Sequence, residues 1–178
     1  MAGNAGKDAC FAVWTTAWGP MGAVAGARGL RRVVLPHYQL RDLVQMLAWE
    51  HGQARQEAGP FETFIRLSRE YFGGAGPVDF SPIECDLPGE ESFSGMTYRA
   101  CRGIPYGRTV SYLALARSIG RAEAARAVAT AMSKNPMPLV VPCHRVIHAD
   151  GRAGGFSAAG GEALKQRMLD LEKRASAR

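Results

Sequence analysis

The stretch SYLALARSIGRAEAARAVATAMSKNP, Ser111 to Pro136, decides the fold of the second half of the chain. Thr109 or Ser111 can cap a helix that runs to about Ile119, since either hydroxyl can accept from a backbone N–H of the first turn. Gly120 breaks that helix. Arg121–Lys134 predicts a second helix, rich in alanine, which Asn135-Pro136 and Pro138 end. Helix, break at a glycine, second helix: this is a helix-turn-helix pattern. An ordinary αα-hairpin reads the same way, so contact with DNA needs other support.

Upstream, Ser94–Gly103 predicts a helix with Met96, Tyr98 and Cys101 inward, stopped by Pro105. Downstream, Leu139–Val141 is a short β-like run into Cys143. Gly151–Gly161 is glycine-rich and irregular, and Glu162–Arg174 is amphipathic with Leu164, Met168, Leu169 and Leu171 on one side. The first half alternates differently. Phe11–Ala17, Met21–Ala27 and Arg31–Leu35 read as strands separated by turn signals. Gln39–Gln56 and Pro60–Phe72 carry helical periodicity, the latter closed by Gly73-Gly74. Ile83–Leu87 reads as a last strand, and Pro88-Gly89-Glu90-Glu91 as a linker. The fold class is therefore α+β, with a mixed α/β support domain over residues 1–91 and a mostly helical domain over residues 92–178.

The 178 residues suit two small domains, and 47% are hydrophobic, enough for a core. No run approaches the roughly 20 apolar residues of a membrane helix. Met1–Asp8 lacks the apolar core of a signal peptide, so a soluble cytoplasmic protein is expected. The net charge of +6 is unevenly placed. Met1–Glu91 holds 8 Lys and Arg against 11 Asp and Glu, whereas Ser92–Arg178 holds 14 against 5. That asymmetry fits a second half that meets a polyanion, or simply a solvated basic face. Cys10, Cys85, Cys101 and Cys143 form no CxxC pair and no zinc spacing. Most free cysteines are core residues, so neighbours must single one out.

Val141-Pro142-Cys143-His144-Arg145-Val146-Ile147 does so. A sulfur nucleophile must be a thiolate, and a nearby base or cation favours that form. His144 and Arg145 are such neighbours. A base needs a third group to orient it, and Glu172, one of five acids in this half, is available. A structural, hydrogen-bonded role for His144 remains open on this pattern alone. An extended segment would turn adjacent side chains to opposite faces, which disfavours a direct Cys–His pair and hence a cysteine hydrolase or thiol oxidoreductase.

Pro142-Cys143-His144-Arg145-Val146 resembles the active-site motif of the O6-alkylguanine-DNA alkyltransferases, the methylated-DNA–protein-cysteine methyltransferases. Ile104–Tyr112, Ala124–Val128, Asn135-Pro136-Met137-Pro138, Gly154-Gly155-Phe156-Ser157 and the end through Glu172 fit the same family in order and spacing. The resemblance covers about Phe93 to Glu172, and residues 1–91 fit in outline. It implies an RNase H-like N-terminal domain and a winged helix-turn-helix-like C-terminal one. It further implies single-use transfer of an alkyl group from O6-alkylguanine to Cys143, with O4-alkylthymine a further candidate substrate. His144 would take the thiol proton through a water, Glu172 would orient His144, and Asn135 would brace the hinge before the active-site turn. Arg126 would enter the base stack and Tyr112 would crowd the 3′ phosphate. Ala125 and Ala127 would let the helix approach the minor groove, with Arg145 on the substrate side. The Val146 carbonyl, Phe156 and Ser157 would line the guanine pocket. The partner would be double-stranded DNA, bound by a monomer through the minor groove, without membrane, metal or cofactor. The location would be the cytoplasm, at the nucleoid in a bacterium, or the nucleus in a eukaryote.

The chemistry of the residues supports this. A base edge inside a duplex is reached only by extruding the nucleotide, and a long cation such as Arg126 can fill the gap. Small residues suit a narrow groove, although alanine is also the best helix former. The chain departs from the family at Ser94 and Thr97-Tyr98, at Ala129 where glycine is usual, and at Phe156 where some members have tyrosine. Phe156 cannot donate to the leaving oxygen, so Ser157 or a backbone N–H is expected to do so. The rival reading is a damage-binding module that does not transfer. His37, His51 and His148 read as surface or structural residues, and Lys173–Arg178 as a frayed basic tail.

Overall fold

Phe11 and Trp14 lie three residues apart in strand β1 (Cys10–Thr16) and so face opposite sides of the sheet. β2 (Gly19–Gly26) and β3 (Gly29–Val34) follow antiparallel, and the two-residue β4 (Arg55–Gln56) pairs parallel with β1, giving the order β3-β2-β1-β4. Helix α1 (Leu40–Glu50) lays Leu43 and Leu47 against Phe11, Val24 and Val34. Helix α2 (Glu62–Gly73), entered through a 3₁₀ turn at Gly59–Phe61, covers the other face. There the Trp14 indole N–H donates to Ser68 Oγ at 2.9 Å and its ring meets Phe64 edge-on. This is the mixed α/β unit expected, in a computed structural model that describes residues 9–52 and 54–176. By contact, the chain divides into Met1–Asp86 and Leu87–Arg178.

In the second unit, helix α3 (Phe93–Arg102) is capped by Ser92, whose Oγ accepts from Gly95 N. β5 (Val110–Ser111) leads directly into α4 (Tyr112–Ser118), and Ser111 Oγ caps it by accepting from Ala114 N at 3.0 Å. Gly120 turns the chain with φ of 70°, a left-handed conformation that glycine adopts without a Cβ penalty. α5 (Ala125–Ser133) follows. α3, α4 and α5 pack on one another through Cys101, Leu115, Ala116, Val128 and Met132, all buried, and the Tyr98 hydroxyl donates to the Ala131 carbonyl. A 3₁₀ turn at Cys143–Arg145 leads into β6 (Val146–Ile147), which pairs parallel with β5. Helix α6 (Gly161–Ser176) packs against the 3₁₀ turn.

Several expected boundaries move. The helix expected over Gln39–Gln56 stops at Glu50, because Arg55 and Gln56 are taken up as the parallel edge strand. Ile83–Leu87 makes a single bridge, Leu30 to Cys85, rather than a strand. The helix expected from Arg121 begins at Ala125, since Arg121–Ala124 is a turn. Leu139–Val141 is not β-like: Leu139 has φ of 75°, and Val141 N closes a turn onto the Met137 carbonyl. Met96 and Leu169 are half-buried rather than core. Of the expected frayed tail, Lys173–Ser176 continue α6, while Ala177 and Arg178, like Met1–Asp8, lie outside the described residues.

Candidate active site

Three prolines, Pro136, Pro138 and Pro142, remove backbone donors from the segment between α5 and the reactive turn. The side chain of Asn135 replaces part of what is lost. Its Oδ1 accepts from Met137 N at 3.0 Å, and its Nδ2 donates to the Val141 carbonyl at 2.8 Å. The same Nδ2 donates to Cys143 Sγ at 3.1 Å. Asn135 thus fixes the turn and supplies a hydrogen bond to the sulfur, which stabilises the anion. The turn is tight enough to hold buried Leu139 at positive φ, a strained conformation for a residue with a Cβ.

Cys143 is 4% exposed. Burial pushes its thiol above the ordinary value, while the Asn135 bond, the Lys165 charge and the N–H groups of Cys143 and His144 pull it back. Cys10 and Cys101 are raised by burial too, Cys101 strongly, and both are buried in the core. His144, fully buried, directs Nε2 at Glu172 Oε1, 2.7 Å away. Burial lowers its imidazolium below the usual range, against the pull of Glu172. Burial would raise the Glu172 carboxyl, but the bonds from His144 and Arg145 prevail and bring it to about 2. With Glu172 ionised, His144 Nε2 carries the proton and donates, leaving the Nδ1 lone pair as the basic end.

The structure turns Arg145 toward Glu172. Its guanidinium is buried, donating from Nε and Nη2 to Glu172 and from Nη1 to the Ile104 carbonyl at 2.7 Å, with Tyr106 beneath it. Gly107 N adds a further bond to Glu172 Oε2 at 2.9 Å. Glu172 therefore ties α6, the 3₁₀ turn and the Ile104–Gly107 loop together, besides meeting His144.

Lys165 belongs to the site and was not among the residues singled out in the sequence. Its ammonium is buried, donates to the Val146 carbonyl at 2.7 Å and lies 3.5 Å from the Tyr112 hydroxyl. Burial lowers it, and the field of Cys143 opposes that. The signal was spacing: Lys165 and Glu172 are seven residues apart, hence on one helical stripe. Tyr112 opens α4, half-buried, with burial and Cys143 both raising its hydroxyl. Arg126 and Ala127 are exposed on the first turn of α5, with Ala125 half-buried. Phe156 is half-buried and Ser157 exposed in the loop before α6. The structure thus gathers Cys143, His144, Glu172, Asn135, Val146 and Tyr112, with Arg126, Ala125 and Ala127 presented separately on the second helix of the helix-turn-helix. Among the described residues, no cluster of three or more His, Cys, Asp or Glu could hold a metal ion.

A helix-turn-helix followed in the chain by a buried, hydrogen-bonded cysteine is an arrangement that suits a DNA-binding protein with a thiol of its own. Residues 92–174 match the model of the 6-O-methylguanine DNA methyltransferase, DNA binding domain. A methylated-DNA–protein-cysteine methyltransferase of Mycolicibacterium paratuberculosis is 48% identical over 102 residues, 57% of this chain and 60% of that protein. A DNA base-flipping protein of Thermus thermophilus is 47% identical over 102 residues, 57% of this chain and 66% of that one. The chain so spans about two thirds or less of the length of these two relatives. The solved structure of Mycobacterium tuberculosis OGT in complex with DNA superposes with a TM-score of 0.74, 32% identity and 93% coverage of both chains. The chain belongs to the 6-O-methylguanine DNA methyltransferase family of DNA-repair alkyltransferases.

Proposed function

We propose that this chain repairs DNA by moving an alkyl group from the O6 of guanine to Cys143, once per molecule. The observation that carries the reading is the buried sulfur held by Asn135, next in the chain to a buried His144 whose Nε2 meets Glu172, itself held by Arg145. The thiol proton passes through a water to His144 Nδ1. The thiolate attacks the alkyl carbon, a C–S bond forms, and the C–O bond breaks with its electron pair leaving on the guanine oxygen. The departing guanine anion takes a proton from water, His144 gives up the one it received, and the product is a thioether that no group in the site can cleave. Lys165 stabilises the thiolate by charge and Asn135 by hydrogen bonding.

Recognition follows from the exposed face of α5. Arg126 replaces the extruded nucleotide, Ala125 and Ala127 let the helix lie in the minor groove, and Tyr112 presses the 3′ phosphate. Phe156 stacks on the base, and Ser157 or a backbone N–H donates to the leaving oxygen. The chain works as a monomer, residues 92–178 carrying DNA binding and transfer and residues 1–91 supporting them. No described helix is long and apolar enough to cross a membrane.

The test is mass spectrometry after incubation with a duplex holding one O6-methylguanine. Trypsin releases Asn135–Arg145, whose one cysteine is Cys143. That peptide should gain one methyl in wild type and none in Cys143→Ala. A bare peptide from protein that binds the duplex would instead establish the damage-binding reading.

A further inference from the structure

His148 follows β6 directly and has an exposed side chain. Its ring packs edge-on against Tyr112, centroids 5.4 Å apart at 64°. The backbone holds it there: His148 N donates to the Arg152 carbonyl and Gly151 N returns to the His148 carbonyl. Gly154, with φ of 73°, passes so close that a Cβ would stand 2.8 Å from the imidazole and 3.3 Å from the Tyr112 hydroxyl. The Lys165 ammonium lies 5.7 Å from the Tyr112 ring centre. Three elements therefore bear on one tyrosine: the end of β6, the Gly154 loop and α6.

We propose that His148 is a positioning residue that fixes the Tyr112 ring through its edge, so that Tyr112 is already set when the duplex arrives. The inference rests on the role given to Tyr112 in nucleotide rotation. An aromatic pair of this kind is worth about a two- to tenfold factor in an equilibrium. The contact His148 makes is with the Tyr112 ring, so its effect should be felt where rotation is required.

The experiment compares two probes, an O6-methylguanine duplex and the free O6-methylguanine base, which needs no rotation. His148→Ala and His148→Gln should slow transfer from the duplex about fivefold and leave transfer from the free base unchanged. His148→Phe, which keeps a ring edge, should restore the duplex rate. Gly154→Ala should reproduce the duplex defect by displacing the imidazole. An unchanged duplex rate in His148→Ala, an equal loss on both probes, or rescue by Gln rather than Phe would overturn the proposal. A wild-type protein that transfers from neither probe would overturn the repair function itself, and is thereby distinguished from failure of the His148 inference alone.

Discussion

Replacing Glu172 by glutamine keeps the shape and removes one charge. The carboxylate accepts from His144 Nε2 at 2.7 Å, from Arg145 Nε and Nη2 at 3.0 Å, and from Gly107 N at 2.9 Å. Glutamine offers one oxygen where there were two, and turns an NH₂ toward these donors. The Arg145 cation, buried, is left without its counter-charge. Breaking a buried pair from one side costs about 3–5 kcal/mol, which lowers the unfolding midpoint by about 10 °C or more. Acid should show the same carboxylate. Its folded value is about 2 against an ordinary 4.5, so its contribution is complete above 4.5 and is lost as pH falls toward 2. The difference is about 3 kcal/mol of wild-type stability, and that acid loss should vanish in Glu172→Gln. Unfolding followed by circular dichroism at pH 7 and from pH 5 to 2 measures both. Adding Arg145→Met removes the stranded charge, so the double variant should be more stable than Glu172→Gln by about 1–2 kcal/mol. A single variant within about 2 °C of wild type, with an unchanged acid limb, would refute the account of Glu172 as an electrostatic keystone.

Asn135→Ala removes the hydrogen bond to sulfur, leaves the Val141 carbonyl with only its bond from Cys143 N, and strands the Met137 N–H. The pH–rate profile for methyl transfer should move to higher pH, with about tenfold slower transfer at neutral pH and about 1–3 kcal/mol less stability. Lys165→Met should also move that profile upward, since Lys165 lowers the Cys143 value. Duplex affinity, read by gel shift, should stay near wild type because the ammonium is buried. Gly120→Ala meets open space but keeps φ at 70°, so it should cost about 1–2 kcal/mol by thermal unfolding, with no packing penalty.

Elements with strong periodicity were legible in the sequence. The two amphipathic helices of the first unit, the helix break at Gly120 and the final helix all follow from apolar spacing and glycine placement. What periodicity misses is what side chains do to the backbone. Leu139–Val141 looks β-like by composition, yet Asn135 and the prolines wind it into a turn. Arg145 looks like a cation for the thiol or the substrate, because sequence cannot show that Glu172 claims it. Lys165 hid inside a helix face scored only for apolar residues. His148 lacked a visible partner because Tyr112 is 36 positions away in the chain.

The rungs joining Val110 to Val146 and Ser111 to Ile147 have a mechanical consequence. One strand ends where the helix-turn-helix begins, and the other begins one residue beyond the reactive turn. The depth of the sulfur behind the DNA-facing helices is thus gauged by a two-rung ruler. On the proposed repair function, a nucleophile held at a set depth leaves the travel to the nucleotide.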